Sequence, residues 1–312
     1  MSAIGALVAG VIGLAGCAGG SLGGYGGRAP LAAGGPRSGA IGSVSSRVAR
    51  GVPAAAARTL ALRARVGFRL DGARVFGPTR APVFGSGVFD FASGRGREVI
   101  DLPEVRHREP GTEHVIFLPA RVFLQPRASG SRVLPRGKSW VLANLTGSDV
   151  VATNFPSFVG QVEGVNPMLV LQELAWGATS AVPIAERPAL PGVRAQGYEV
   201  SVDLPRALAA AGRAAASVSS LAIQQQLSAL ASSESRSAAS VPVFAWVDGS
   251  GRVVQWRVLL PGAGVGTALV ALSLFGIDAR LDVPSAGQVV DIGSLTPSGE
   301  RESNGGGDSD GA

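Results

Sequence analysis

The chain holds one cysteine, two histidines and two tyrosines in 312 residues, and of its 28 basic residues only Lys138 is a lysine. With a single thiol, Cys17, no internal disulfide can form, so stability has to come from packing. The two histidines, His107 and His114, lie beside Glu109 and Glu113 without further strong ligands. A solvated turn, not a metal centre, is the expectation there. Long hydrophobic spans are also lacking. Val258 to Ile277 is uncharged, but Pro261, Gly262, Gly264, Gly266 and Gly276 punctuate it, so a turn and a buried strand are expected instead of a membrane helix.

Catalytic motifs fail one by one. Gly19-Gly20-Ser21-Leu22-Gly23 has the spacing of a nucleophile elbow but no strand before it. Gly137-Lys138-Ser139 resembles the end of a phosphate-binding loop, yet Arg132 stands where that loop requires a glycine. Asp248, Asp278, Asp282 and Asp291 are spaced like turn residues and strand ends, and no pair of them supports acid–base chemistry. A non-enzyme without cofactor or metal is expected. The net charge of +6 comes from scattered arginines with no interleaved aromatics, which argues against nucleic acid and for a surface facing anionic lipid headgroups.

What is present begins at Leu14-Ala15-Gly16-Cys17, which follows an uncharged apolar run from Ile4 to Ala15. The run is too short to span a bilayer but has the length of a signal-peptide core, and small residues before a cysteine form a lipobox. Cleavage before Cys17 would leave it carrying acyl chains, palmitate among them, and would place the mature protein on the extracytoplasmic face of the cell membrane or in the periplasm. Residues 1–16 are thus read as a lipoprotein signal peptide and 17–42, rich in Gly and Ala, as a flexible tether. A folded domain is expected over 43–292 and a disordered tail over 293–312. Arginine in place of lysine, with abundant Ala, Gly, Val and Pro, points to a gene of high GC content, as in actinobacteria.

Within the domain, a short helix is expected over Ser46 to Ala57, broken or kinked near Gly51 and Pro53. Strict alternation follows: Leu60, Leu62, Ala64, Val66, Phe68 and Leu70 on one face, Arg63, Arg65 and Arg69 on the other. Asp71-Gly72 should turn this strand. Further strands are read at Val83–Ala92, Arg97–Leu102, His114–Leu118, Arg121–Gln125 and Ser139–Asn144, joined by short turns into an antiparallel meander. Asn166 and Pro167 mark a helix start running to Trp176. A strand over Gly197–Leu204, helices over Pro205–Ala211 and Ser217–Ala231, and a hairpin of Val241–Val247 with Arg252–Leu259 come next. Strands near Ala268–Ile277 and Val289–Ile292 close the chain.

Several of these segments together carry a family resemblance. They are the lipobox at Cys17, Gly137-Lys138-Ser139-Trp140-Val141, the Asn166-Pro167 helix with Leu171 and Leu174, Gly197-Tyr198-Glu199-Val200, the run from Ala245 to Val253, and Val283-Pro284 with Gln288-Val289-Val290-Asp291. In this order the chain, over roughly residues 55–292, resembles the mycobacterial LppX/LprA/LprF/LprG lipoproteins, which have a LolA-like fold. Glu104–Thr112 and Pro126–Arg136 are long for that family. The resemblance implies an α+β fold: a strongly curved antiparallel sheet, an open half-barrel, with helices packed on the concave side around an apolar cavity.

It further implies lipid binding and lipid transport, with an acylated lipid or glycolipid as ligand, the membrane as partner through Cys17, and a lipid exporter as a further partner. Candidate cavity residues are Leu62, Val66, Phe68, Phe89, Phe91, Leu171, Leu174 and Trp246, each of which is equally at home in an ordinary core. The competing reading is a non-carrier envelope lipoprotein, a sensor or assembly partner, on the same scaffold with a filled core.

Overall fold

A computed structural model describes residues 51–71, 82–104, 110–126, 134–144, 166–213, 240–260 and 266–295. The signal peptide, Cys17, the tether, Gly72, His107, Glu109, the Ser217–Ala231 helix and the chain after Leu295 lie outside these residues. Twelve strands form one sheet: β1 (Arg63–Asp71), β2 (Val83–Asp90), β3 (Arg95–Leu102), β4 (Gly111–Leu118), β5 (Arg121–Gln125), β6 (Trp140–Asn144), β7 (Ala178–Ile184), β8 (Ala195–Val202), β9 (Val241–Asp248), β10 (Val253–Leu260), β11 (Gly266–Ser273) and β12 (Val289–Asp291). Their order is β12-β6-β5-β4-β3-β2-β1-β11-β10-β9-β8-β7. Helices α1 (residues 51–59), α2 (Pro167–Gly177) and α3 (Leu204–Arg213) pack their apolar sides on one face, here the inner face.

The strongly curved antiparallel half-barrel that the resemblance implied is not formed. The sheet is mixed, because β12 pairs with β6 in parallel, and it is open, with β12 and β7 as its two edges. Nor is it strongly curled. Sharp bending of a sheet needs bulges that insert a residue into one strand. Register shifts occur only between Val253 and Gln255 and between Ala178 and Ser180 among the described ladders, both in the β7–β10 half. The ladders from β1 to β6 run without a break.

Alternation places the core. Ala64, Val66, Phe68 and Leu70 of β1 are buried on the inner face, while Arg63, Arg65 and Arg69 are exposed on the outer one. Cross-strand register carries this parity outward through Phe89, Ile100, Phe117, Val122 and Ala143 on one side, and through Val270, Trp256, Val243 and Val200 on the other. All of these join a single hydrophobic cluster with the helices. Fully burying a Leu, Val or Phe contributes about 1.5–3 kcal/mol, so this cluster is the main source of stability. Glycines make room within it: the Phe68 ring lies where a Cβ on Gly85 would stand, and the Phe89 ring does the same at Gly96.

Local sequence sets the ends of the elements. Asn166 Oδ1 accepts a hydrogen bond from Met168 N at 3.1 Å and caps α2, with Pro167 in its first turn. From Gly51, the first described residue, α1 runs through Pro53 to Thr59 without a break, and Ser46 to Arg50 lie outside the described residues. Strand β7, which follows α2 directly, has no counterpart in the sequence reading. The uncharged run from Val258 to Ile277 contributes the end of β10 and all of β11. No helix among the described residues is long and apolar enough to cross a membrane.

The β9–β10 hairpin turns on Asp248. Its Oδ1 accepts from Ser250 N and Arg252 N, and its Oδ2 accepts from Arg252 Nη2 at 2.7 Å. Gly251, at φ 70°, supplies the left-handed position. Burial pushes the Asp248 carboxyl up, but the Arg252 and Ser250 hydrogen bonds and the Arg252 charge together hold it below its ordinary value. A lowered folded-state pKa stabilises the protein above the unfolded value, and that contribution disappears as the pH falls through the folded one. Asp248→Asn is therefore expected to lower the urea midpoint at pH 7, with the gap from the parent closing below about pH 4. A gap that stays constant through the acid range would contradict this role.

Candidate functional site

The residues singled out as cavity lining divide between two faces. Val66, Phe68, Phe89, Phe91, Leu171 and Leu174 come together on the inner face, all at most 5% exposed and all members of the one core cluster. Phe89 stacks on Phe91 with ring centroids 5.6 Å apart and lies 5.2 Å from Phe117. Leu62 is half-buried in the turn between α1 and β1. Leu169, Leu171 and Leu174 of α2 are each fully buried and belong to the same core cluster.

Trp246 belongs elsewhere. Its register partners in β8 and β10 are Gly197 and Gln255, on the outer face, while its neighbour Ala245 points into the core. It is buried because the segment after β7 folds over it: Trp246 Nε1 donates to Glu186 O at 2.9 Å, and Gln255 Oε1 accepts from Ala189 N at 2.8 Å. Arg257 forms a two-pronged pair with the Glu186 carboxylate at 2.8 and 3.0 Å, its guanidinium 4.5 Å from the Phe244 ring centre. This is a structural lock. Strict period-two counting from Val241 would have put Trp246 outside.

The core also contains carboxyl groups that the sequence reading overlooked. Glu98 is 1% exposed on the inner face of β3, opposite Gly87 of β2 and Val115 of β4, and neither of its oxygens has a hydrogen-bond partner among the described residues. Burial pushes its carboxyl well above the usual carboxylate range. Glu113 and Glu173 are buried too. No group of three metal-ligating side chains is found among the described residues. His114 sits in β4, not in a turn. It is exposed on the outer face, while Glu113 beside it points inward, as alternation requires.

A cavity of about 650 Å³ lies on the outer face among the described residues. Its wall includes Arg65 of β1, Ser86 and Val88 of β2, Arg97 and Val99 of β3, and His114 and Ile116 of β4. Trp140 of β6 and Asp282 close it. Asp282 arrives on the segment that leaves β11 beside β1, crosses to the far edge of the sheet, and ends in β12 against β6. Ser139 N donates to Gln288 O at 2.9 Å, and Lys138 Nζ donates to Ala286 O at 3.3 Å. The Gly137-Lys138-Ser139 stretch thus fastens this strap, with Gly137 at φ 82° in the turn.

No family model matches the chain, and no curated protein matches it. Among solved structures, LprF from Mycobacterium bovis is similar at 11% identity and a TM-score of 0.40, covering 77% of this chain and 97% of that one. A LolA superfamily protein from Nitrosomonas europaea matches at 8% identity and a TM-score of 0.25, over 77% of this chain and 94% of that one. A DUF1329 family protein from Desulfovibrio piger matches at 9% identity and a TM-score of 0.28, over 75% and 95%. Superpositions this loose leave the functional reading to the chain's own residues.

Proposed function

We propose that this protein is a lipid-anchored envelope lipoprotein of the extracytoplasmic face that serves as a sensor or assembly partner on a filled-core scaffold. The observation that supports this most is the burial of α2: Leu169, Leu171 and Leu174 have no exposed surface and share one core cluster with Val66 and Phe89, where a lipid carrier would need open volume. The anchor is read from Leu14-Ala15-Gly16-Cys17 and its preceding apolar run. Recognition by such a protein uses its surface, so its described outer-face cavity is where a partner or ligand would be read.

Cys17→Ala is expected to move the protein from the membrane to the soluble fraction of an actinobacterial host and to remove the mass of the acyl groups. Identical partitioning and mass for the two forms would overturn the anchor. Native mass spectrometry of the Cys17→Ser chain is expected to show protein free of lipids with two or three acyl chains. A stoichiometric lipid of that kind would overturn the filled-core reading.

A further inference from the structure

The outer-face cavity combines an apolar floor, a cationic rim and an aromatic wall. Its floor is apolar, with Val88, Val99 and Ile116 from three adjacent strands, two of them half-buried and Ile116 only 6% exposed. Its rim carries two guanidinium groups: neither Arg65 nor Arg97 has a carboxylate partner among the described residues, whereas Arg63, Arg69, Arg252 and Arg257 are all paired. His114 adds an exposed imidazole at the same rim. Trp140 forms an aromatic wall, and the strap bearing Asp282 limits the opening on one side.

Register explains why these groups converge. Arg65 lies opposite Val88, Val88 opposite Arg97, Arg97 opposite Ile116, and Val99 opposite His114. Cation and aliphatic residues therefore alternate across four strands, with Arg65 and Arg97 exposed and Val88, Val99 and Ile116 more deeply buried between them. Glu98 and Val115, also in the wall, belong to the inward-facing sets of β3 and β4. The volume lies within the range of about 300–1,000 Å³ that holds small ligands.

We propose that this cavity binds an anionic amphiphile: a carboxylate or phosphate head held by Arg65 and Arg97, with an alkyl chain laid over Val88, Val99 and Ile116 against Trp140. Planar guanidiniums match either head in a two-pronged fashion. Of the two acidic residues in the wall, Glu98 belongs to the inward-facing set of β3 and Asp282 is exposed, so two guanidiniums face one exposed carboxylate and the rim stays cationic. The site stands apart from the core and is independent of whether Cys17 is acylated.

The test uses the full chain with Cys17→Ser, so that no anchor contributes, and monomeric dodecyl phosphate below its micelle concentration as probe. Isothermal titration calorimetry is expected to show saturable binding that weakens at least tenfold in the Arg65→Gln/Arg97→Gln double variant, with an unchanged melting temperature because both side chains are exposed. Dodecanol and inorganic phosphate, each holding half the chemistry, are expected to bind at least tenfold more weakly than dodecyl phosphate. Val99→Arg, which puts a charge on the floor, is expected to weaken dodecyl phosphate while sparing inorganic phosphate.

Sedimentation with phosphatidylglycerol vesicles separates the two sources of such a head. Loss of sedimentation in the double variant assigns the site to headgroups at a membrane surface, and binding of soluble probe alone assigns it to free single-chain amphiphiles. Absence of dodecyl phosphate binding, equal binding by wild type and double variant, or equal affinity for inorganic phosphate would overturn the proposal.

Discussion

Val66→Trp is expected to cost the domain about 1–3 kcal/mol, and Leu171→Ala about 2–5 kcal/mol, without any change in bound lipid. Val66 has no exposed surface, and its partners across the ladders are Gly87 and Leu272. A tryptophan there has to displace packed side chains, because an interior at crystalline density contains no spare volume for an indole. Leu171 reports from α2 within the same core cluster. Truncating it leaves a void that the fully buried Leu169 and Leu174 of the same helix cannot all move to fill.

A lipid-lined cavity would give the opposite pattern. The indole would occupy lipid space at little cost in stability, and the truncation would enlarge a space already open. Urea unfolding midpoints of both variants, measured with lipid extraction of the same samples, separate the two cases. Stability within a few tenths of a kcal/mol of wild type, accompanied by loss of bound lipid in Val66→Trp, would show that the inner face is a binding cavity.

The strands were legible because alternation is a short-range signal that one wet face makes unambiguous. Ala64 to Leu70 against Arg63, Arg65 and Arg69 fixes both the strand and its inward side. The α2 start was legible from Asn166 and Pro167, whose chemistry suits a cap and a first turn. Curvature was not legible, since it depends on where bulges interrupt the ladders, and no residue pattern near Val253 or Ala178 announces them. The parallel pairing of β12 was equally hidden: Val289–Asp291 is three residues long, and its partner is chosen by a strap that crosses the sheet.

The candidate site divides in the same way. Core-facing residues could be read from periodicity, but the outer-face cavity depends on which strands lie side by side. Arg65, Arg97 and His114 look like an ordinary solvated face until β1, β2, β3 and β4 are put in register. Trp246, named among the cavity candidates, lies on the outer face. The alternation of its own strand, and the Glu186 carbonyl that receives its N–H, place it there.

Glu98→Leu is expected to raise the melting temperature at pH 7.5, and Glu98→Gln to flatten the dependence of stability on pH. Glu98 extends over Gly87, where an added Cβ would stand 2.8 Å from Glu98 Cγ, so its carboxyl is carried into the apolar interior. Neither oxygen finds a hydrogen-bond partner among the described residues. An unsatisfied buried polar group costs about 1–3 kcal/mol, and for a domain of this size each kcal/mol moves the melting temperature by about 2–4 °C.

Burial holds the carboxyl well above its ordinary value, so the folded protein binds a proton that the unfolded chain releases near pH 4.3, the approximate free glutamate value. Stability is therefore fully present below that pH. It falls as the pH rises toward the folded-state value, because folding must then either take up a proton or bury a charge. Wild type should lose stability relative to Glu98→Gln, which keeps the shape and cannot ionise, as the pH rises above the free glutamate value of about 4.3. Parallel pH profiles for wild type and Glu98→Gln, or a lower melting temperature for Glu98→Leu at pH 7.5, would mean that the carboxylate is stabilised in the core and that its burial serves the fold.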